Sequence, residues 1–412
     1  MIVTDPASTV TSPSSLLYPS FRSWQRDVHA AGLLPVIGIS GTRGKSTVLR
    51  LLEAMLMASH LRRATWTDQG VEVRGRRQSG ELSGWTNALM RLAEVSVDVA
   101  LQELDWATVN AVGLPPSSYP VVAMIGLREH LDSPEQSPSL AGSIRAAQRV
   151  ADAVYPGGFI VANADDYYTM DAVADVDATV ILVAQSQDSP ALRHHLREGG
   201  SAVWVRNATI LVGDAEHHTR LCRVADVPLT IAGEASFNVT NVLVAVALAR
   251  SIGLDLPCIA RTLREFVPTW EILPGSLNVY EGESFRAVVD QLGPAWVLRS
   301  VLKAINPLLA RRQVTVVGDL RWIAPEDVQE VGRLLGRYHG AIVLHSEQDE
   351  DLVQSFRRGL ASNEFPPLFI YLPTERRAIN RALKTLKSDD VLLILTAGDS
   401  GPANRAIKRH IA

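Results

Sequence analysis

The stretch that most limits what this chain can fold into is LLPVIGISGTRGKSTVLRLLEAML, Leu33 to Leu56. An apolar run ends in a glycine-rich turn and passes directly into a helical pattern, so it reads as strand, loop and helix. Gly41, Gly44, Lys45 and Ser46 form G-x-x-G-K-S. Glycines let backbone N–H groups converge on phosphate oxygens, and the helix N-terminus adds its partial positive charge. Lys45 reaches the terminal phosphates, and Ser46 can hold Mg²⁺. With Thr42, Arg43 and Thr47, this loop is the candidate ATP site. The longer pattern G-x-x-x-x-G-K-[ST] would require glycine at position 39, where Ile39 stands, so the loop is a related but distinct form.

The fold class is set by the segments beyond the loop. Apolar strand-like runs (VDVALQEL, YPVVAMIG, GGFIVANADD, ATVILVAQ) alternate with helical ones such as LAGSIRAAQRVADAV. Strands apolar along most of their length and spaced by helices predict a mainly parallel sheet covered on both faces. The run TWTDQGVEVRGRRQSG predicts short strands about a glycine turn, and residues 200–233 predict an antiparallel flap. A smaller α/β unit of the Rossmann-like kind is expected after residue 276: FRAVVD, QVTVVGDL, GAIVLHS, PLFIYLP and DVLLILTAG alternate with helical stretches. The expected organisation is a Ser/Thr/Pro-rich tail and lead-in over residues 1–30, a central ATP-binding domain over 31–276 and a C-terminal domain over 277–412.

Composition excludes several classes. Of 412 residues 47% are hydrophobic and 20% charged, ordinary for a soluble globular protein with a core in each domain. A net charge of −4 gives no electrostatic footprint for nucleic acid. No apolar run approaches the roughly 18 residues needed to cross a bilayer, and the N-terminus lacks a signal pattern, so the expected location is cytoplasmic. Cys222 and Cys258 have no metal or redox spacing and read as buried thiols. The pairs His194–His195 and His217–His218 read as solvated. Arg74, Arg76 and Arg77 read as a charged hairpin that either faces an acidic substrate or only aids solubility.

The form GTxGK[ST] is used by the Mur ligase superfamily, and from residue 36 to about 345 the chain resembles the Mur-type part of cyanophycin synthetase, with a second similarity to poly-γ-glutamate synthase. The matching blocks are GTRGKSTVLRL, TDQGVEVRGRR, VDVALQELDW, REHLD, PGGFIVANADD, FNVTNVLVAVALA, PGSLNVYEGESFRAVVD and GDLR. The resemblance implies a Mur-ligase-like fold and an ATP- and Mg²⁺-dependent amide ligase that works through an acyl phosphate on an amino acid, peptide or amino-acid polymer. It implies that Glu103 binds magnesium, with a solvated strand-end acid as the alternative reading. His130 would help hold a second magnesium or else serve as a loop or capping residue. Asn238 and Asn241 would lie near the nucleotide base, although Asn238 also reads as a helix N-cap. Asp165 and Asp166 would shape a turn. Asp290, Asp319 and Arg321 would face the nucleotide or incoming substrate when the second domain closes.

Other positions depart from the family pattern. Ala147 or Gln148 stands where a carbamylated lysine is expected, Ser276 where arginine follows Pro-Gly, and Gly293 and Phe237 where histidine is common. Together these make the alternative a degenerate Mur-like nucleotide-binding protein that acts as a scaffold or regulator. The run before the first strand is too short for the domain that grips a UDP-sugar in peptidoglycan ligases, and the ATP-grasp half of cyanophycin synthetase is not seen. A separate ligase or membrane-complex partner is therefore expected, and a homo-oligomer is compatible with the sequence.

Overall fold

The computed structural model describes residues 18–67, 70–77, 97–127, 140–305 and 312–411. Eleven strands form the first sheet, in the order β11-β10-β9-β8-β7-β6-β1-β5-β2-β3-β4. They are β1 (Val36–Ser40), β2 (Arg63–Thr67), β3 (Gly70–Val73), β4 (Arg76–Arg77), β5 (Val99–Leu104), β6 (Tyr119–Met124), β7 (Val154–Asn163), β8 (Thr179–Ala184), β9 (Ser201–Arg206), β10 (Thr209–Gly213) and β11 (His218–Arg223). From β9 through β8, β7, β6, β1 and β5 to β2, neighbours run parallel. Antiparallel strands extend both ends, and the antiparallel flap expected over residues 200–233 is β9, β10 and β11, which continue the main sheet.

The parallel strands are apolar because both faces are covered. On one face the helices Lys45–Ala58, Ser236–Ser251 and Leu256–Glu265 bury Leu49, Leu52, Val242 and Ile259 against Ile37, Leu101 and Val121. The lead-in helix Phe21–Ala30 joins the same core through Phe21, Trp24 and Val28, after a Ser20–Ser23 capping box fixes its start. On the other face, helices Trp106–Val112 and Leu140–Asp152 bury Trp106, Val109, Ala146 and Val150. Helix Ser236–Ser251 is buried nearly all round, which explains why its sequence shows no polar stripe.

The second, smaller domain holds a six-stranded sheet ordered β12-β13-β17-β14-β15-β16. Its strands are β12 (Asn278–Glu281), β13 (Phe285–Gln291), β14 (Gln313–Val317), β15 (Gly340–His345), β16 (Leu368–Leu372) and β17 (Asp390–Thr396). All pairs are parallel except β12–β13. Helices Ala295–Ile305, Pro325–Leu335 and Glu350–Ala361 cover one face, and Glu375–Thr385 and Gly401–Ile411 the other. Among the described residues no helix is long and apolar enough to cross a membrane.

Some sequence expectations change. Only Cys222 is buried; Cys258 is half-buried, with its sulfur 3.5 Å from Ser59 Oγ, because it sits in the exposed first turn of its helix. His194 and His217 are exposed, but His195 Nε2 lies 3.0 Å from the Ser201 carbonyl. His218 is half-buried against Trp204, 2.9 Å from an Arg206 nitrogen, because it opens an edge strand whose neighbours pack on its ring.

Candidate functional site

β1 lies between β5 and β6, the point at which the chain passes to opposite sides of the sheet. Ligands of open α/β sheets gather in the crevice at the carboxyl end of such a strand. Here that end carries residues Gly41 to Gly44. Gly41 has φ 149° and Gly44 φ 92°, values that side chains resist. Gly44 is required for a second reason: a Cβ there would meet Asn241 Oδ1 at 2.1 Å. Gly44 is the N-cap of helix Lys45–Ala58 and gives no side-chain cap, which leaves the first-turn N–H groups to an anion. Thr42 is anchored by its N–H on the Gly126 carbonyl at 3.0 Å. Lys45 Nζ donates to the Gly41 carbonyl at 2.8 Å, Ser46 is exposed and Thr47 is buried.

Asn238 and Asn241 are each 4% exposed on helix Ser236–Ser251. Asn241 Nδ2 donates to Asn238 Oδ1 at 3.0 Å, and Asn238 Nδ2 to the Leu229 carbonyl at 3.0 Å. The N-cap reading of Asn238 is corrected: the cap is Ala235, and Asn238 lies inside the helix with its amide turned to a neighbouring loop. The pair braces the phosphate loop from the side.

Arg43 reaches across to the second sheet. Its guanidinium lies 4.8 Å from the Phe237 ring centroid, and its Nη2 donates to Asp290 Oδ2 at 3.2 Å. Asp290 is fully buried at the end of β13, and its Oδ1 accepts the Leu277 N–H at 3.1 Å. Burial pushes this carboxyl above the usual range, and the charge of Arg43 pulls it back.

Loop and second domain enclose a cleft of about 920 Å³. Thr42, Arg43, Gly44, Lys45, Ser46, Thr47, Asn238, Asn241 and Asp290 all line it. Gly41 is not among the lining residues. Asp319 and Arg321 do not join it: they pair with each other, the Arg321 Nε donating to both carboxylate oxygens at 3.0 Å. The side chain their turn contributes to the cleft is Trp322, which is 54% exposed. Sequence reasoning also missed Arg50, Thr67 and residues 398–400. The last of these carried a signal, since Gly398-Asp399-Ser400-Gly401 follows a strand and opens a helix just as the first loop does.

For a metal the fit is through oxygen donors. Glu103 pairs in register with Ile39, one residue before the end of β1, which puts it beside the phosphate loop. Ser46 is exposed in the first turn of the helix. His130 lies outside the described residues. Among the described residues no group of three or more His, Cys, Asp and Glu side chains is gathered. A hydroxyl, one carboxylate and phosphate oxygens suit a hard cation that keeps part of its water shell.

No family model matches the chain. It is 26% identical over 421 aligned residues to a cyanophycin synthetase of Trichormus variabilis, covering 98% of this chain and 44% of the relative. A UDP-N-acetylmuramoyl-L-alanyl-D-glutamate--2,6-diaminopimelate ligase of Aquifex aeolicus is 22% identical over 383 residues, covering 89% of this chain and 72% of that one. Among solved structures, a bifunctional folylpolyglutamate synthase/dihydrofolate synthase from Yersinia pestis, complexed with AMPPNP and Mn ion, superposes with a TM-score of 0.62 at 16% identity, covering 95% and 93%. The chain is related to the Mur ligase superfamily.

As a Mur-ligase-like chain it spans less than half the length of the cyanophycin synthetases it matches. Three of its departures from the Mur ligase pattern, Phe237, Ser276 and Gly293, line the same cleft. A fourth, Ala147, faces the core of the first domain, and Gln148 faces solvent. Three of these positions therefore share the cleft with the glycine-rich loop.

Proposed function

We propose that this chain is an ATP-dependent amide-bond ligase that joins a carboxylate to an amine on an amino acid or amino-acid polymer. The observation that carries the reading is the uncapped helix start at Gly44–Lys45, which opens on a cleft walled by the ends of β1, β13 and β17. Similarity to ligases along nearly the whole chain supports it.

In this reading the loop N–H groups and Lys45 hold the triphosphate, and the Asn238–Asn241 brace keeps the loop in its anion-binding shape. A substrate carboxylate oxygen attacks the terminal phosphorus, ADP leaves, and the acyl phosphate is then attacked by an amine to give amide and inorganic phosphate. Ser46 and Glu103 would hold Mg²⁺, with His130 assigned to a second site, and the ion would neutralise phosphate charge. Lys45 provides fixed positive charge where negative charge develops on the transferred group. A cytoplasmic setting suits the two free cysteines. A separate ligase or membrane-complex partner belongs to the same proposal, and co-purification tests it.

The decisive assay is phosphate release from ATP, screened over Asp, Glu, Arg, Lys and short acidic peptides, with Lys45→Ala as control. Amine-dependent release that Lys45→Ala abolishes is the expected result. Tight Mg-ATP binding without such release on any acceptor overturns the ligase reading.

A further inference from the structure

Two buried polar atoms of the phosphate loop, Thr42 Oγ1 and Arg43 Nη1, have no hydrogen-bond partner among the described residues. Of the cations lining the cleft, Arg50 is held by Glu53 and Glu72 on its own domain, and Lys45 is turned onto the Gly41 carbonyl. Arg43 differs. Phe237 supports the face of its guanidinium, Asp290 of the second domain takes Nη2, and Nη1 is left over. A buried donor without an acceptor is costly, and the side chain is 28% exposed, so a turn of the guanidinium that brings Nη1 to an acceptor entering the cleft removes that cost. Ser276 and Gly293 bring no charge to this part of the cleft, so Arg43 is the cation that spans loop and second domain.

We propose that Arg43 reads the terminal phosphoryl group of the nucleotide, and that Asp290 acts as a positioning residue which aims its guanidinium from the second domain. This deepens the proposed function and rests on it. An anion that meets Arg43 lies between loop and second domain, where the group in transfer must sit. Because guanidinium is a planar fork, one edge can stay on Asp290 while the other donates to a phosphate oxygen, an arrangement a lysine cannot reproduce. Phe237 then has a use of its own as the platform that keeps the fork flat in the cleft. The discriminating power falls on triphosphate over diphosphate, since only the former extends to that point.

The test is calorimetric titration of the full chain with AMPPNP and with ADP, each with Mg²⁺. In Arg43→Gln the AMPPNP affinity should fall about tenfold to a hundredfold, as expected for loss of one charge-assisted contact, while the ADP affinity changes less than about threefold. Arg43→Lys keeps a charge beside Asp290, so it is the variant least exposed to misfolding, and it should restore only part of the ratio. Asp290→Asn should shift the ratio the same way by a smaller factor. The double variant Arg43→Gln/Asp290→Asn should match Arg43→Gln alone. Equal weakening of both nucleotides in Arg43→Gln, full recovery in Arg43→Lys, or a tighter AMPPNP complex in Asp290→Asn overturns the assignment. A wild-type chain that binds neither nucleotide overturns the proposed function itself, and so separates the two failures.

Discussion

Replacing Gly44 by alanine tests the loop geometry most directly. Two costs can be read from the structure. The residue must keep φ 92°, which for a side chain in the left-handed region costs about 1–2 kcal/mol. The added Cβ would also lie 2.1 Å from Asn241 Oδ1 and 2.9 Å from its Cγ, so the amide has to leave. Its departure breaks the 3.0 Å bond to Asn238 and unpairs buried polar groups, a further cost of about 1–3 kcal/mol. The total for Gly44→Ala is about 2–5 kcal/mol. In an Asn241→Ala background the collision vanishes and only the backbone term, about 1–2 kcal/mol, remains. Urea unfolding of the four chains gives the coupling energy, expected at about 1–3 kcal/mol. Strict additivity would show that Asn241 does not brace the loop, and the argument for the cleft wall would fall with it.

His345 should make stability depend on pH. Burial holds its imidazole down from 6.5 to about 4, so between those values the unfolded chain takes the proton first. Stability is complete above about pH 6.5 and declines by about 2–4 kcal/mol as pH falls to 4. Urea midpoints for His345→Gln should be flatter than wild type over that window, and parallel curves would refute the claim. The thiols should separate as well: burial pushes Cys222 up to about 11, whereas Cys258 is half-buried. A disulfide reagent at mildly alkaline pH should label Cys258 in the native chain and both cysteines after denaturation. Rapid native labelling of Cys222 would contradict its placement.

How legible all this was depends on the range of the interaction concerned. The strand, loop and helix from Val36 to Ala58 were readable because their signals are local: an apolar run, two glycines and a helical period. Strands β13 to β17 of the second domain and the helical stretches between them were readable for the same reason, whereas helix Gly401–Ile411 was not read from the sequence. The Arg43–Asp290 pair could not be read as a contact, since its partners are 247 residues apart and neither carries a local mark of the other. Asn238 misled because helix Ser236–Ser251 is apolar on all sides, so periodicity does not show where it begins. The resemblance directs Asp319 and Arg321 toward the nucleotide or incoming substrate, but two residues apart in a tight turn they pair with each other. The embedding of β9–β11 in the main sheet depends on the parallel pairing of β8 with β9, which no turn sequence encodes.

The apolar burial of helix Ser236–Ser251 has a mechanical consequence. Phe237, Asn238 and Asn241 ride on the first turns of a rod set in the middle of the first core, so that side of the cleft behaves as a fixed post. The opposite wall is joined to it by the short link at Pro274–Leu277, where Gly275 and Leu277 both have positive φ and Asn278 fastens the turn to the Leu273 carbonyl, and by the second core, which packs on Ala235 and Phe237. Widening the cleft would therefore have to part that apolar seam as well as the Arg43–Asp290 contact, so the base of this one helix ties the two cores together.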